Sequence, residues 1–150
     1  MATTEITAQN FESLITKPGI AVLDWWAAWC GPCRAFAPTF EAASQKHTDI
    51  LWGKVDTEAQ QELAAAFAIR SIPTLMIFRD GVLLFAQPGM LPASALDELV
   101  EGARALDMDE VRKKLDEEEK KEAEAELKAA ANQPAGDFGD DDDEATFVRQ

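Results

Sequence analysis

Residues 20–33 read Ile20-Ala21-Val22-Leu23-Asp24-Trp25-Trp26-Ala27-Ala28-Trp29-Cys30-Gly31-Pro32-Cys33. An apolar run without strict alternation, here Ile20 to Ala28, predicts a strand buried on both faces. Pro32 suits the first turn of a helix, where its missing N–H costs nothing. Cys30 then falls at the helix mouth, where unpaired N–H groups and the positive end of the peptide dipoles favour a thiolate. Cys33 follows one turn later, close enough for the two sulfurs to meet. An easily ionised thiol with a second one beside it makes a redox pair.

On the N-terminal side, Thr4-Glu5-Ile6-Thr7 fits a short edge strand. Asn10 is placed to cap a helix carrying Phe11, Leu14 and Ile15 on one face, closed by Pro18-Gly19. On the C-terminal side a helix is expected from about Cys33 to His47, with Phe36, Phe40 and Ala43 at helical spacing and a bend at Pro38. Ile50 to Val55 reads as the next strand, closed by Asp56-Thr57, and Ala59 to Phe67 as a helix with Leu63 and Phe67 paired. Ser71-Ile72-Pro73 leads into a strand over Thr74–Arg79, and Asp80-Gly81 turns the chain back into Val82–Phe85. Pro88-Gly89 stops that hairpin, and Pro92 to about Ala105 returns as a helix with Leu96, Leu99 and Val100 inward. The order β-α-β-α-β-α-β-β-α implies an α/β fold, a mixed sheet with helices on both faces.

With 150 residues, 47% of them apolar, there is room for one ordinary domain and some chain beyond it. The net charge of -14 is unevenly spread: residues 1–106 hold 12 acids and 7 bases, residues 107–150 hold 16 acids and 7 bases. Acid concentrated at one end argues against nucleic acid and anionic membrane as partners, and suits solubility or a basic partner. Met1-Ala2-Thr3-Thr4-Glu5 has neither a basic start nor a long apolar segment, so neither a signal peptide nor a membrane span is expected. The cytoplasm is the expected compartment, where a cysteine pair persists by cycling.

Three segments are expected: a domain over 1–106, a charged helical extension over 107–131 and an acidic tail over 132–150. In the extension Val111 and Leu115 are the last apolar pair at helical spacing, while Asp116–Lys120, Glu117–Lys121 and Glu124–Lys128 run acid before base. The heptad positions of a coiled coil are missing. Asn132-Gln133-Pro134-Ala135-Gly136 is expected to end the helix, and Asp140 to Glu144 to form a solvated, disordered run. Phe147-Val148 is an apolar pair near the end, a stray pair or a recognition handle.

The chain has only two cysteines, so no disulfide framework exists and the pair is catalytic, metal-binding or inert. A structural zinc site takes about four Cys or His ligands. The single histidine, His47, lies at the far end of the expected helix, and no metal is expected. In the redox reading Cys30 attacks a substrate disulfide to form a mixed disulfide, and Cys33 then attacks Cys30 and frees the reduced product. Asp24 is an acid inside a buried strand, where burial raises the pKa towards neutrality. By itself such a residue is as readily a structural ion pair as a proton carrier.

The sequence resembles the thioredoxin family over roughly residues 4 to 106. The likeness rests on Cys30-Gly31-Pro32-Cys33, Asp24 before it, Pro38 in the helix after it, Ile72-Pro73-Thr74, and Gly89 after the hairpin. It implies the thioredoxin fold and a thiol–disulfide oxidoreductase that reduces protein disulfides, as Gly-Pro between the cysteines resembles the reducing members. It implies that Asp24 assists deprotonation of Cys33, that the Ile72–Pro73 bond is cis, and that an extended substrate pairs with Ile72 as an added strand. Trp29, Gly31, Pro32, Val55, Ile72, Pro73, Gly89 and Met90 match the family's flat apolar docking surface. The implied partners are disulfide-bearing proteins and a separate thioredoxin reductase. No Gly-rich nucleotide fingerprint is present and no cofactor is expected. A monomer is expected.

Two positions depart from the family pattern. Many relatives carry a lysine four residues before the Asp that ends the neighbouring strand; here Trp52 holds that place and Lys54 follows two later. Alternation puts both on one face, so Lys54 is the candidate support for Asp24. Pro88 stands where relatives often have a β-branched residue, and removes a backbone donor at the rim. The competing reading is a redox-linked chaperone or adaptor whose C-terminal extension binds a partner. Retained client protection in a Cys30→Ser variant would favour it.

Overall fold

A computed structural model of the chain describes residues 2–131. The expected helix end at Asn132–Gly136, the run Asp140–Glu144 and the Phe147-Val148 pair lie outside the described residues. Among the described residues, those up to Ala105 form one unit and those from Leu106 another.

In the first unit the elements are β1 (Thr3–Glu5), α1 (Phe11–Ile15), β2 (Ile20–Trp26), α2 (Gly31–Lys46), β3 (Leu51–Asp56), α3 (Gln61–Ala66), β4 (Thr74–Arg79), β5 (Val82–Pro88) and α4 (Ala93–Ala105). The five strands form one sheet in the order β1-β3-β2-β4-β5. β2 is central, parallel to β3 and antiparallel to β4. Its five inner residues are buried, as the apolar run around Asp24 requires.

Each face of the sheet has its own core. Val22, Trp52, Leu75 and Ile77 meet Phe36 and Phe40 of α2 and Leu96 and Val100 of α4. On the other face Ile6, Leu23, Trp25, Val55, Met76 and Phe78 meet Ile15 of α1 and Ala64 of α3. Helices on both faces of a mixed sheet give the three-layer α/β architecture that the element order implies. Gly53 of β3 lies where no side chain fits: an added Cβ would come within 2.6 Å of Ile6 Cγ1 and 2.7 Å of Leu23 Cδ2.

Several boundaries differ from the sequence expectation, each with a local cause. β1 ends at Glu5 because the chain turns at Thr7, whose carbonyl accepts from Asn10 N and Phe11 N. Asn10 precedes α1 but does not cap it with its side chain. Its Oδ1 accepts from Thr7 N at 2.8 Å and its Nδ2 donates to Glu5 O at 3.0 Å, so the amide is engaged in the preceding turn. α2 starts at Gly31, two residues earlier than expected, and runs through Pro38, which offers the Arg34 carbonyl no N–H. α3 starts only at Gln61 because Asp56 Oδ1 holds Glu58 N and Ala59 N in a turn of their own. It closes through Ala68, at φ 54°, with Ile69 N donating to Ala64 O as in a glycine-terminated helix.

The hairpin between β4 and β5 turns at Asp80 and Gly81, both at positive φ (53° and 83°). Its register slips between Ile77 and Phe78, so that Leu84 is an extra residue and both Leu84 and Phe85 reach the α2/α4 core. In the second unit α5 (Met108–Ala131) is started by Asp107, whose Oδ1 accepts from Asp109 N and Glu110 N. Beyond Val111 its residues are exposed, Leu127 to 72%. Among the described residues no helix is long and apolar enough to cross a membrane.

Candidate active site

β2 carries the chain to Trp26 at one end of the sheet, and a turn closed by Cys30 N donating to Ala27 O leads into α2. Cys30 is the residue just before the first helical turn, with extended φ and ψ (-85°, 113°), and Pro32 lies inside that turn. Cys30 and Cys33 are joined as a disulfide, their Cα atoms 5.2 Å apart. Cys30 Sγ also accepts a hydrogen bond from Cys33 N at 3.2 Å. The first sulfur thus takes the place of the side-chain oxygen of a helix cap, facing donors that stabilise negative charge on it. Both cysteines are buried, with Ala27, Trp26 and Ile72 around them.

Three contacts fix the surroundings. Ile72 O lies 3.7 Å from Cys30 Sγ, within reach of the S–H of the reduced form. The Ile72–Pro73 bond is cis, and Thr74 Oγ1 donates to Ser71 O across that corner. Gly89, at φ 104°, donates its N–H to Pro73 O at 2.8 Å, which ties the loop after β5 to the same corner. A fourth contact has no counterpart in the sequence reading: Arg34 Nη1 donates to Ala28 O at 2.7 Å and anchors the loop that presents Trp29.

Around the sulfurs the surface is apolar. Trp29 is 66% exposed and Met90 47%, with Gly31, Pro32 and Gly89 also exposed and Ile72 half-buried. One residue placed on this surface by the family likeness is elsewhere. Val55 is fully buried, because its position in β3 points it into the α1/α3 core beside Trp25. Pro73 is buried at the corner itself, where its carbonyl accepts the Gly89 N–H. Pro88 is exposed at the end of β5, opposite Thr74.

Asp24 lies on the α2/α4 face of the sheet, by alternation with Val22 of that core. It has no exposed area, and no described residue donates a hydrogen bond to either carboxylate oxygen. Burial pushes its pKa from 3.8 up to about 7, held from going higher by the positive charge of Lys54. The strand register pairs Lys54 directly with Asp24, and Trp52 with Val22. Lys54 places its ammonium 5.0 Å from the centre of the Trp26 ring. Trp52 donates its indole N–H to His47 O. His47 itself sits at the other end of α2, with Nε2 3.0 Å from Asp97 Oδ1. Among the described residues no group of three or more His, Cys, Asp or Glu is placed to hold a metal ion.

A joined cysteine pair at a helix mouth, against a cis-proline corner, is the arrangement of a thiol–disulfide oxidoreductase. Comparison with known proteins agrees. The family model described as Thioredoxin matches residues 2–102. A Streptomyces coelicolor protein described as a putative thioredoxin 2 is 52% identical over 118 residues, 79% of this chain and 88% of that one. The thioredoxin of Bacillus subtilis is 41% identical over 101 residues, 67% of this chain and 96% of that one. Among solved structures, a Plasmodium falciparum thioredoxin superposes with a TM-score of 0.62 at 31% identity, covering 67% of this chain and 98% of that one. The chain belongs to the thioredoxin family.

Proposed function

We propose that this protein reduces disulfides of other proteins, acting as a monomer in the cytoplasm and recharged by a separate thioredoxin reductase. Cys30, as thiolate, attacks one substrate sulfur; the new S–S bond forms as the substrate's S–S bond breaks, and the departing sulfur takes up a proton. Cys33, its proton passed to Asp24, then attacks Cys30 and releases the second substrate thiol. The substrate gains two electrons and two protons, and the protein ends as the Cys30–Cys33 disulfide. With a pKa near 7, Asp24 is suited to take and return that proton at neutral pH. Trp29, Gly31, Pro32, Ile72, Pro73, Gly89 and Met90 form the site on which the substrate rests, with the Ile72 backbone as its strand partner.

The observation that carries this reading is the hydrogen bond from Cys33 N to Cys30 Sγ at the start of α2. The test is reduction of insulin by dithiothreitol. The full-length protein at micromolar concentration is expected to hasten precipitation of the freed chains, and a Cys30→Ser variant to leave it at the background rate. Equal rates with and without wild-type protein would sink the reading.

A further inference from the structure

The docking face differs in charge from the rest of its unit. The docking residues Trp29, Gly31, Pro32, Ile72, Gly89 and Met90 come from three stretches, Trp25–Thr39, Phe67–Phe78 and Val82–Leu96. Together they contain two arginines, Arg34 and Arg70, and no acid. Residues 1–106 as a whole carry 12 acids against 7 bases. Arg34 has one nitrogen committed to Ala28 O. Arg70 is exposed and, among the described residues, enters no ion pair or hydrogen bond.

Arg70 also borders a groove of ≈350 Å³ between the end of α3 and the β4–β5 hairpin, with Phe67, Ile69, Met76 and Pro88 along it. The groove continues to Ser71 and Thr74, the two residues that flank the Ile72–Pro73 corner. Asp56 and Glu58 follow β3, on the opposite side of β2 from β4, and Asp56 Oδ1 is engaged by Glu58 N and Ala59 N. The groove that reaches the Ile72–Pro73 corner therefore has at its edge a cation that no described acid pairs with.

We infer that Arg70 selects protein disulfides that carry an acidic side chain close to the attacked cysteine. This rests on the disulfide-reductase reading. A substrate strand laid against Ile72 brings residues about two places from its cysteine alongside Arg70, since a strand advances roughly 3.3 Å per residue. A carboxylate there meets the guanidinium while apolar neighbours enter the groove, and a lysine there meets repulsion. Exposed pairs of this kind contribute up to about 1 kcal/mol, a few-fold in rate.

The test uses three cyclic disulfide peptides identical except for Glu, Gln or Lys two residues from the cysteine. Each is reduced by the pre-reduced full-length protein, with kcat/KM read for wild type, Arg70→Lys, Arg70→Gln and Arg70→Glu. The Glu-to-Lys ratio is expected at roughly three- to tenfold for wild type and Arg70→Lys. It should fall to about one in Arg70→Gln, and to about one for wild type in 0.5 M salt. In Arg70→Glu it should invert. The same ratio in all four proteins overturns the inference and leaves the reductase reading intact. Failure to reduce even the Gln peptide overturns both.

Discussion

A Cys33→Ser variant mixed with a disulfide-bearing protein is expected to accumulate a covalent mixed disulfide, and a Cys30→Ser variant to accumulate none. The two cysteines are equally buried, so exposure does not separate their roles. Position does. Cys30 stands before the first helical turn, where its sulfur receives the Cys33 N–H and faces the unpaired donors of that turn, while Cys33 lies inside the helix. Only the first sulfur is held by groups that prefer it charged, and the thiolate is the attacking species. With Ser at 33 the attack proceeds, but nothing displaces the substrate from Cys30. With Ser at 30 the nucleophile is gone, and turnover should fall on the order of 10³-fold or more. Mass spectrometry of the adduct reads the outcome directly. A mixed disulfide mapped to Cys33 in the Cys30→Ser protein would reverse the assignment.

The second large effect concerns Asp24 and stability. Its folded-state pKa of about 7 lies above the ordinary 3.8, so between those values the folded protein binds a proton that the unfolded chain has released. Stability then falls as pH rises from 4 to 7 and levels off above. At about 1.4 kcal/mol per pKa unit, the decline from this buried group is on the order of 4 kcal/mol. Urea unfolding of the oxidised protein across pH 4–9 should show this decline. Asp24→Asn, which keeps the shape and cannot ionise, should remove it and be the more stable protein at pH 8. In Lys54→Met the decline should extend to higher pH, because the charge that lowers the Asp24 pKa is gone. Parallel curves for wild type and Asp24→Asn would mean that the carboxylate finds stabilisation in the fold that its surroundings do not display.

The stretch from Ile20 to Cys33 was legible because three independent signals coincide there. They are an apolar run long enough only for a central strand, a proline fit for a first helical turn, and cysteines one turn apart. The Asp80-Gly81 turn was equally plain, since its two positive φ values suit Asp and Gly. Val55 was misplaced for a physical reason. Alternation sorts the residues of β3 into two faces but does not say which face meets α1 and α3 and which end of the sheet holds the site. Lys54 and Trp52 pose the same problem: parity put both on one face, and only the pairing with β2 showed which stands beside Asp24.

Asn10 and the start of α3 turned on competition between side chain and backbone for the same N–H groups. Composition does not decide such contests. Arg34 on Ala28 and Gly89 on Pro73 join residues through carbonyls that every residue type carries, so no sequence pattern marks them.

In the proposed mechanism α2 keeps the Cys30 sulfur anionic when the pair is reduced. Alkylation of the reduced protein by iodoacetamide, followed against pH with Cys33 replaced by Ser, tests it most directly. The rate is expected to reach half its plateau well below pH ~8.5, the value for a free cysteine. A midpoint at or above that value would show that the helix mouth does nothing for the sulfur, and would contradict the account.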